Sequence, residues 1–330
     1  SAEGLSPWSA TGLFWIGLLL VFGAALKSAQ FPFHSWLPEV METPTPVSAL
    51  MHAGIINAGG FLIVRMSPVM VLSPTALNVL AVIGAVTALF GSLVMLTQTS
   101  IKKSLAFSTV GQMGFMMLQC GLGAFSSAML HIVAHGLYKA HAFLSSGSII
   151  DLAKAAWAPM PRTRRHPGEL PLAFATALAI TVLTASLFEI TLAEEPAIVL
   201  LGAILQIGLC YLIWNSLSAQ SGVLQILRGV GLAVLISVIY FSLQLLFAHL
   251  LQGSVAGFAL ERGWFSWVLL IAVLGGFMGV LLMQVRFPGD TAGSIWQAAY
   301  VHILNGFYVS TLANRLLRRI WPAPQHPQSH

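Results

Sequence analysis

Nine mostly apolar stretches follow one another along the chain: residues 11–30, 47–65, 75–98, 104–123, 126–151, 172–192, 197–217, 226–250 and 265–285. A helix rises about 1.5 Å per residue, so a run of roughly twenty residues crosses the hydrocarbon core of a bilayer. Inside that core each backbone N–H and C=O must be satisfied by its own segment. Runs of this length in series therefore dictate membrane-crossing helices. Charged residues make up only 8% of the 330-residue chain, against about a quarter in soluble domains. The fold class expected is all-α: a polytopic membrane helix bundle with discontinuous helices and a C-terminal amphipathic helix.

A short segment, 34–42, follows the Phe31-Pro32-Phe33 break and pairs with 11–30 as one discontinuous span. Such breaks occur only where they face protein or a wet cavity. The tail 295–320 is less apolar, with Tyr300, Leu304, Phe307 and Leu312 on one side and Arg315, Arg318 and Arg319 near its end. It reads either as a helix lying on a leaflet or as a docking helix for a partner subunit. Four regions result: a core over 1–151, a basic loop over 152–171, a second transmembrane bundle over 172–290 and an amphipathic tail over 291–330. The chain opens at Ser1 without an initiator Met or a signal-peptide pattern, and further segments of the natural polypeptide are expected to precede it.

If the turns alternate across the bilayer, one side receives Lys102, Lys103, Lys154, Arg162, Arg164, Arg165, Arg228, Arg286, Arg315, Arg318 and Arg319. The other receives Arg65 and Arg262, with Glu194, Glu195 and Glu261. Positive charge favours the cytoplasmic side, which places the C-terminus in the cytoplasm. The net charge of +5 thus reports topology and gives no reason to expect nucleic acid as a partner. No GxGxxG, P-loop or zinc spacing occurs, so no cofactor is expected in this chain and no enzymatic activity of its own. Cys120 and Cys210 sit in apolar runs and read as small core residues.

Within the fifth run His131, His135 and Lys139 recur at every fourth position. At about 100° per residue they fall within roughly 80° of arc and climb about 12 Å along the helix. Ionisable groups at membrane depth are costly and are kept for a use. Neutral imidazole accepts a proton on one nitrogen and releases one from the other, so this stripe is a ladder on which protons can step. His141 departs from it by 80° or more.

Other polar groups have two readings each. Lys27, before the Pro32 break, reads as a channel residue or as a lysine snorkelling to the interface. His52 reads as a relay member or a satisfied core histidine. Lys102 and Lys103 read as relay members or interfacial anchors, and Glu189 as an intramembrane acid or an interfacial one beside Glu194 and Glu195. Ser108, Thr109, Gln112 and Asn57 offer oxygens that would suit Na⁺, though their spacing is not diagnostic. An ion-transport subunit, a subunit of a redox-driven pump and a scaffold that only anchors a partner all remain open on these residues.

The stretches KSAQFPFHSWLPEVMETPTPVSALMHAGIINAGGFLIVR, IKKSLAFSTVGQMGFM and HIVAHGLYKAHAFLSSGSII resemble the signatures of the antiporter-like subunits of respiratory complex I and Mrp antiporters. The resemblance covers about residues 13–151, and implies a proton-channel core with two broken-helix half-channels. It implies roles for Lys27 as the first half-channel lysine, for His52, His131 and His135 as the connecting relay, for Lys139 as the central lysine and for Lys102 as a further bridge member. The acidic partner that the family gives Lys27 lies on an earlier helix, absent from this chain. The family's exit lysine is also absent, since no Lys or Arg occurs between Arg165 and Arg228, and Glu189 stands in that region instead. This altered second half looks more like the DabB-type subunit. The likeness implies proton (or Na⁺) conduction coupled to uptake of CO2 or bicarbonate by a large DabA-type, carbonic-anhydrase-like partner, with any zinc in that partner. The alternative implied is a proton-pumping subunit of a complex I, Mrp or membrane hydrogenase type.

Overall fold

The computed structural model describes residues 7–155, 167–190, 196–217, 222–256, 264–286 and 294–320. All regular structure among them is helical. The helices are α1 (Pro7–Lys27), α2 (Trp36–Glu39), α3 (Thr45–Ala53), α4 (Ala58–Arg65), α5 (Ser67–Met70), α6 (Pro74–Met95) and α7 (Ile101–Gly121). There follow α8 (Phe125–Ala155), α9 (Leu170–Leu187), α10 (Pro196–Ser216), α11 (Val223–Leu250), α12 (Trp264–Arg286), α13 (Ser294–Leu304) and α14 (Val309–Ile320). Among the described residues six segments are long and apolar enough to cross a bilayer, one of them the interrupted Thr45–Arg65. Helices α1, α7 and α8 take the positions of the other three expected spans, and α7 and α8 carry the buried Thr109, Gln119, His135 and Lys139.

Large apolar side chains face outward around the bundle: Leu183, Leu187 and Ile271 are each about 70% exposed. A surface this apolar has hydrocarbon as its solvent. The chain is a multi-pass membrane protein.

Close backbone contact builds the centre. Gly84 and Gly91 of α6 face Gly114 and Gly111 of α7, and a Cβ on Gly84, Gly91 or Gly114 would strike the opposing backbone. Small residues let two helices approach in this way, so α7 is pinned along α6, packs on α8, and meets α3 through Thr109 and His52. The main core lies beneath them, with Leu37, Ile56, Ile63, Leu77, Met113 and Met116 fully buried. Helices α9, α10 and α11 pack around Ala177, Ile213 and Trp214. They join the first bundle through α11 on α8, and α12 bridges α10 and α6.

Two expectations need correction. The run 47–65 is not one continuous helix: α3 stops at Ala53, a single 3-10 turn spans Ile55–Asn57 and α4 resumes at Ala58. Gly54, with no side chain to hold it helical, sits at that joint. The second correction concerns 34–42, where only Trp36–Glu39 is α-helical before a 3-10 turn over Val40–Glu42. The two breaks satisfy one another: Ser28 Oγ donates to Ile56 O at 2.6 Å, and Asn57 Nδ2 donates to Ala53 O at 2.7 Å. Freed backbone groups at membrane depth need such partners.

The expected loop over 152–171 is shorter than its bounds, because α8 runs to Ala155 and α9 begins at Leu170. Arg162, Arg164 and Arg165 lie outside the described residues, as do Glu194, Glu195, Glu261 and Arg262. The tail is two helices. Tyr300 OH donates to Thr97 O and Gln98 Nε2 donates to Leu304 O, at 3.3 and 3.1 Å, fixing α13 on the end of α6. Gly306, Phe307 and Tyr308, all at positive φ, then turn the chain into the amphipathic α14.

Candidate functional site

Helix α8 presents His131, His135, Lys139 and Phe143 one turn apart on the face that meets α7 and α3. Lys139 is fully buried. Its Nζ donates to Ser108 Oγ at 2.8 Å and to Leu105 O at 3.2 Å, and lies 5.6 Å from the Tyr138 ring centre. Among the described residues no carboxylate forms an ion pair with it. A buried ammonium needs such polar partners, and here a hydroxyl, a carbonyl and a ring supply them.

The carbonyl of Leu105 links this lysine to α3. Thr109 Oγ1 also reaches Leu105 O, at 3.0 Å, and stands 3.0 Å from His52 Nδ1. A threonine hydroxyl has one hydrogen. When it points to Leu105 O, His52 must donate from Nδ1, leaving Nε2 a lone pair. When it points to His52, Nδ1 is the acceptor and Nε2 carries the proton. Rotation of one hydroxyl thus accommodates either tautomer of His52. The ring stacks on Phe143 at 4.4 Å between centres, which fixes its plane. Its Nε2 is buried with no partner among the described residues.

At the other end His131 Nδ1 donates to Gln119 Oε1 at 3.1 Å. The His131 and His135 rings are 5.9 Å apart. His135 is 5% exposed, and neither of its ring nitrogens has a partner among the described protein groups. Leaving a buried polar group unmet costs about 1–3 kcal/mol, which a water or mobile ion would remove. Both histidines line a cleft of about 440 Å³, walled by Phe115, Leu201, Leu205 and Tyr240.

The close approach of α8 to α3 depends on Gly136. A Cβ there would sit 2.9 Å from Ala53 O, the carbonyl at the break. So the joint in α3–α4, the glycine on α8 and the face of α7 set by the glycine contacts with α6 together place His52 beside Lys139.

The structure brings His52, His131, His135 and Lys139 to one region. Lys102 lies at its edge: it is half-buried on the same face of α7 as Leu105 and Thr109, and Nζ donates to Thr43 O at 3.3 Å. Lys103 is exposed. Lys27 and Glu189 are not brought in. Lys27 ends α1 on the exposed surface, and Glu189, also exposed, lies beyond the end of α9 at positive φ. The four oxygens considered for Na⁺ do not converge. Ser108 and Thr109 are engaged by Lys139 and His52, while Asn57 and Gln112 line different cavities.

Sequence reasoning missed Gln119, whose amide in an apolar run was the available signal, and His34, buried against Phe90 at 4.5 Å between ring centres. It also missed Ser127, Tyr240 and Gln244, which form a chain across the cleft: Ser127 Oγ donates to Gln244 Oε1 at 2.8 Å and Gln244 Nε2 to Tyr240 OH at 3.0 Å.

A family model described as the NADH:quinone oxidoreductase/Mrp antiporter transmembrane region matches residues 6–213. The chain belongs to this family. Among curated proteins it is similar to the "probable inorganic carbon transporter subunit DabB2" of Halothiobacillus neapolitanus, 39% identical over 309 residues. It is also similar to the corresponding DabB subunit of Hydrogenovibrio crunogenus, 35% identical over 312 residues. Each match takes in 92% of this chain, and 55% and 56% of the respective relative. The chain therefore spans little more than half the length of either. In fold it resembles the Mrp complex of Dietzia sp., with a TM-score of 0.54 at 23% identity, over 98% of this chain and 40% of that one.

Proposed function

We propose that this chain is the proton-conducting part of a membrane subunit that couples a cation gradient to inorganic carbon uptake. The observation that carries this reading is that Leu105 O, accepting from both Lys139 Nζ and Thr109 Oγ1, holds the buried lysine beside the hydroxyl that meets His52 Nδ1. The carbonyl fixes the donors in place, and protons are taken up and released by the ammonium of Lys139 and the imidazole nitrogens of His52, His131 and His135, with water entering the cleft as the carrier between them. Low dielectric strengthens the effect of each charge on the next, so loading one site discourages loading its neighbour. Protons are favoured over Na⁺ because the site offers nitrogen bases and no shell of converging oxygens. The excess of basic residues on one side supports a C-terminus and a loop between α8 and α9 on the cytoplasmic side of an inner membrane.

The carbon-uptake part rests on the names of the two relatives that match almost the whole chain. By that likeness the partner is a large DabA-type protein resembling a zinc carbonic anhydrase and docking from the cytoplasm. Catalysis and any zinc needed for it then belong to that partner. A respiratory role as a complex I or Mrp subunit is the alternative within the same family. It is tested by what purifies with the full-length protein in mild detergent. A zinc-containing soluble partner supports the carbon-uptake reading, and an iron–sulfur or flavin protein overturns it.

A further inference from the structure

We infer that His131 and His135 form a binding site for a divalent transition-metal ion of the Zn²⁺ or Cu²⁺ class, seated in the cleft between α8 and α11. The two residues are one helical turn apart, a spacing that aims both rings the same way. Their ring centres are 5.9 Å apart. With metal–nitrogen bonds of about 2.0–2.1 Å and tetrahedral angles, two ligating imidazoles have ring centres about 5 Å apart. Closing that gap requires under 1 Å of side-chain rotation.

The two rings are prepared differently, and both suit a metal. Gln119 Oε1 accepts from His131 Nδ1 at 3.1 Å, which leaves the lone pair on Nε2. A hydrogen bond to the non-ligating nitrogen is the usual way a protein fixes a metal-bound histidine. His135 is 95% buried, with both nitrogens unpartnered among the described protein groups, and lines the same cleft. It holds a ligating lone pair that no group among the described residues uses. The cleft, about 440 Å³, has room for the ion and for waters completing its shell. A second cavity of about 220 Å³ shares Ser127, Leu201, Tyr240 and Gln244 with it and continues to Ile190 and Ala248, giving a route in. Imidazole nitrogen selects zinc, copper and nickel over magnesium and calcium, which require oxygen.

The metal site stands on α8 geometry and does not depend on proton conduction. The test uses full-length protein in detergent, purified without a polyhistidine tag and titrated with Cu²⁺. Electron paramagnetic resonance is expected to show superhyperfine coupling to two imidazole nitrogens at the first equivalent. His131→Gln and His135→Gln should each reduce this to one nitrogen, and His141→Gln should leave it unchanged. Mg²⁺ should not compete, whereas Zn²⁺ should displace the signal. A wild-type spectrum with one nitrogen or none overturns the site whether or not the variants fold. So does a two-nitrogen signal that persists in folded His135→Gln.

Discussion

Lys139 and Thr109 donate to the same acceptor, the carbonyl oxygen of Leu105, at 3.2 and 3.0 Å. This shared oxygen connects α8 to α7, and the Thr109 hydroxyl carries the connection on to His52 of α3. Three helices distant in sequence thus meet at one polar point inside an apolar bundle.

The hydroxyl of Thr109 is the member that permits tautomer exchange at His52. Thr109→Val keeps the shape and removes the rotor, whereas Thr109→Ser keeps the rotor. In proteoliposomes containing the complete transporter, proton flux is expected to fall about tenfold or more in the valine variant, equivalent to about 1.4 kcal/mol in the barrier. The serine variant is expected to retain most of the flux. Equal flux in valine and wild type would remove Thr109 from the path.

Gly136 sets the distance between α8 and the break in α3–α4. Gly136→Val places a branched side chain against Ala53 O, which a Cβ alone would meet at 2.9 Å. Overpacking of this kind costs about 1–3 kcal/mol. Thermal unfolding in detergent should show a lowered Tm, and the contact between His52 and the Lys139 region should loosen. An unchanged Tm would mean the helices tolerate a wider gap.

Ser28 and Ile56 tie the two breaks together through a 2.6 Å hydrogen bond between buried groups. Ser28→Ala leaves the Ile56 carbonyl unpaired at a cost of about 1–3 kcal/mol. Hydrogen exchange should rise at residues 54–60 in the variant and stay as in wild type along α6 and α7. Uniform exchange throughout would show that the bond does not hold the joint.

Helix α14 carries exposed Leu312, Leu316 and Ile320 on one stripe and Arg315, Arg318 and Arg319 beside it. Such a helix binds an anionic leaflet by burying the stripe while the arginines meet headgroups. A peptide covering 305–320 is expected to become helical on vesicles containing anionic lipid and to stay disordered on neutral ones. Replacing the three arginines by glutamine should abolish the difference. Helix formation only with a protein partner would identify α14 as a docking element instead.

The spans were legible because apolar length is written directly in composition, and nine runs correspond to helices or helix pairs in the bundle. The stripe of His131, His135 and Lys139 was legible because one helix fixes its geometry. The joint at residues 54–57 was not, since the apolar character continues through it. What breaks the helix is Gly54 together with partners from elsewhere, Ser28 among them. Lys27 and Glu189 kept an interfacial reading beside a channel one in sequence, and both are exposed, because a position in the sequence does not say which face of a helix meets its neighbours. The pairing of His52 with Thr109 depends on packing between helices, α3 against α8 and α7 against both α6 and α8, and not on either polar residue's place in the sequence.

The relay stands most directly on Lys139. The decisive measurement is proton flux into proteoliposomes containing the complete transporter, driven by an imposed membrane potential, with Lys139→Gln compared against Lys103→Gln. Both should assemble, and Lys103, exposed at the start of α7, should be dispensable. Flux is expected to vanish in Lys139→Gln and to persist in Lys103→Gln. Wild-type flux in an assembled Lys139→Gln transporter would contradict the relay.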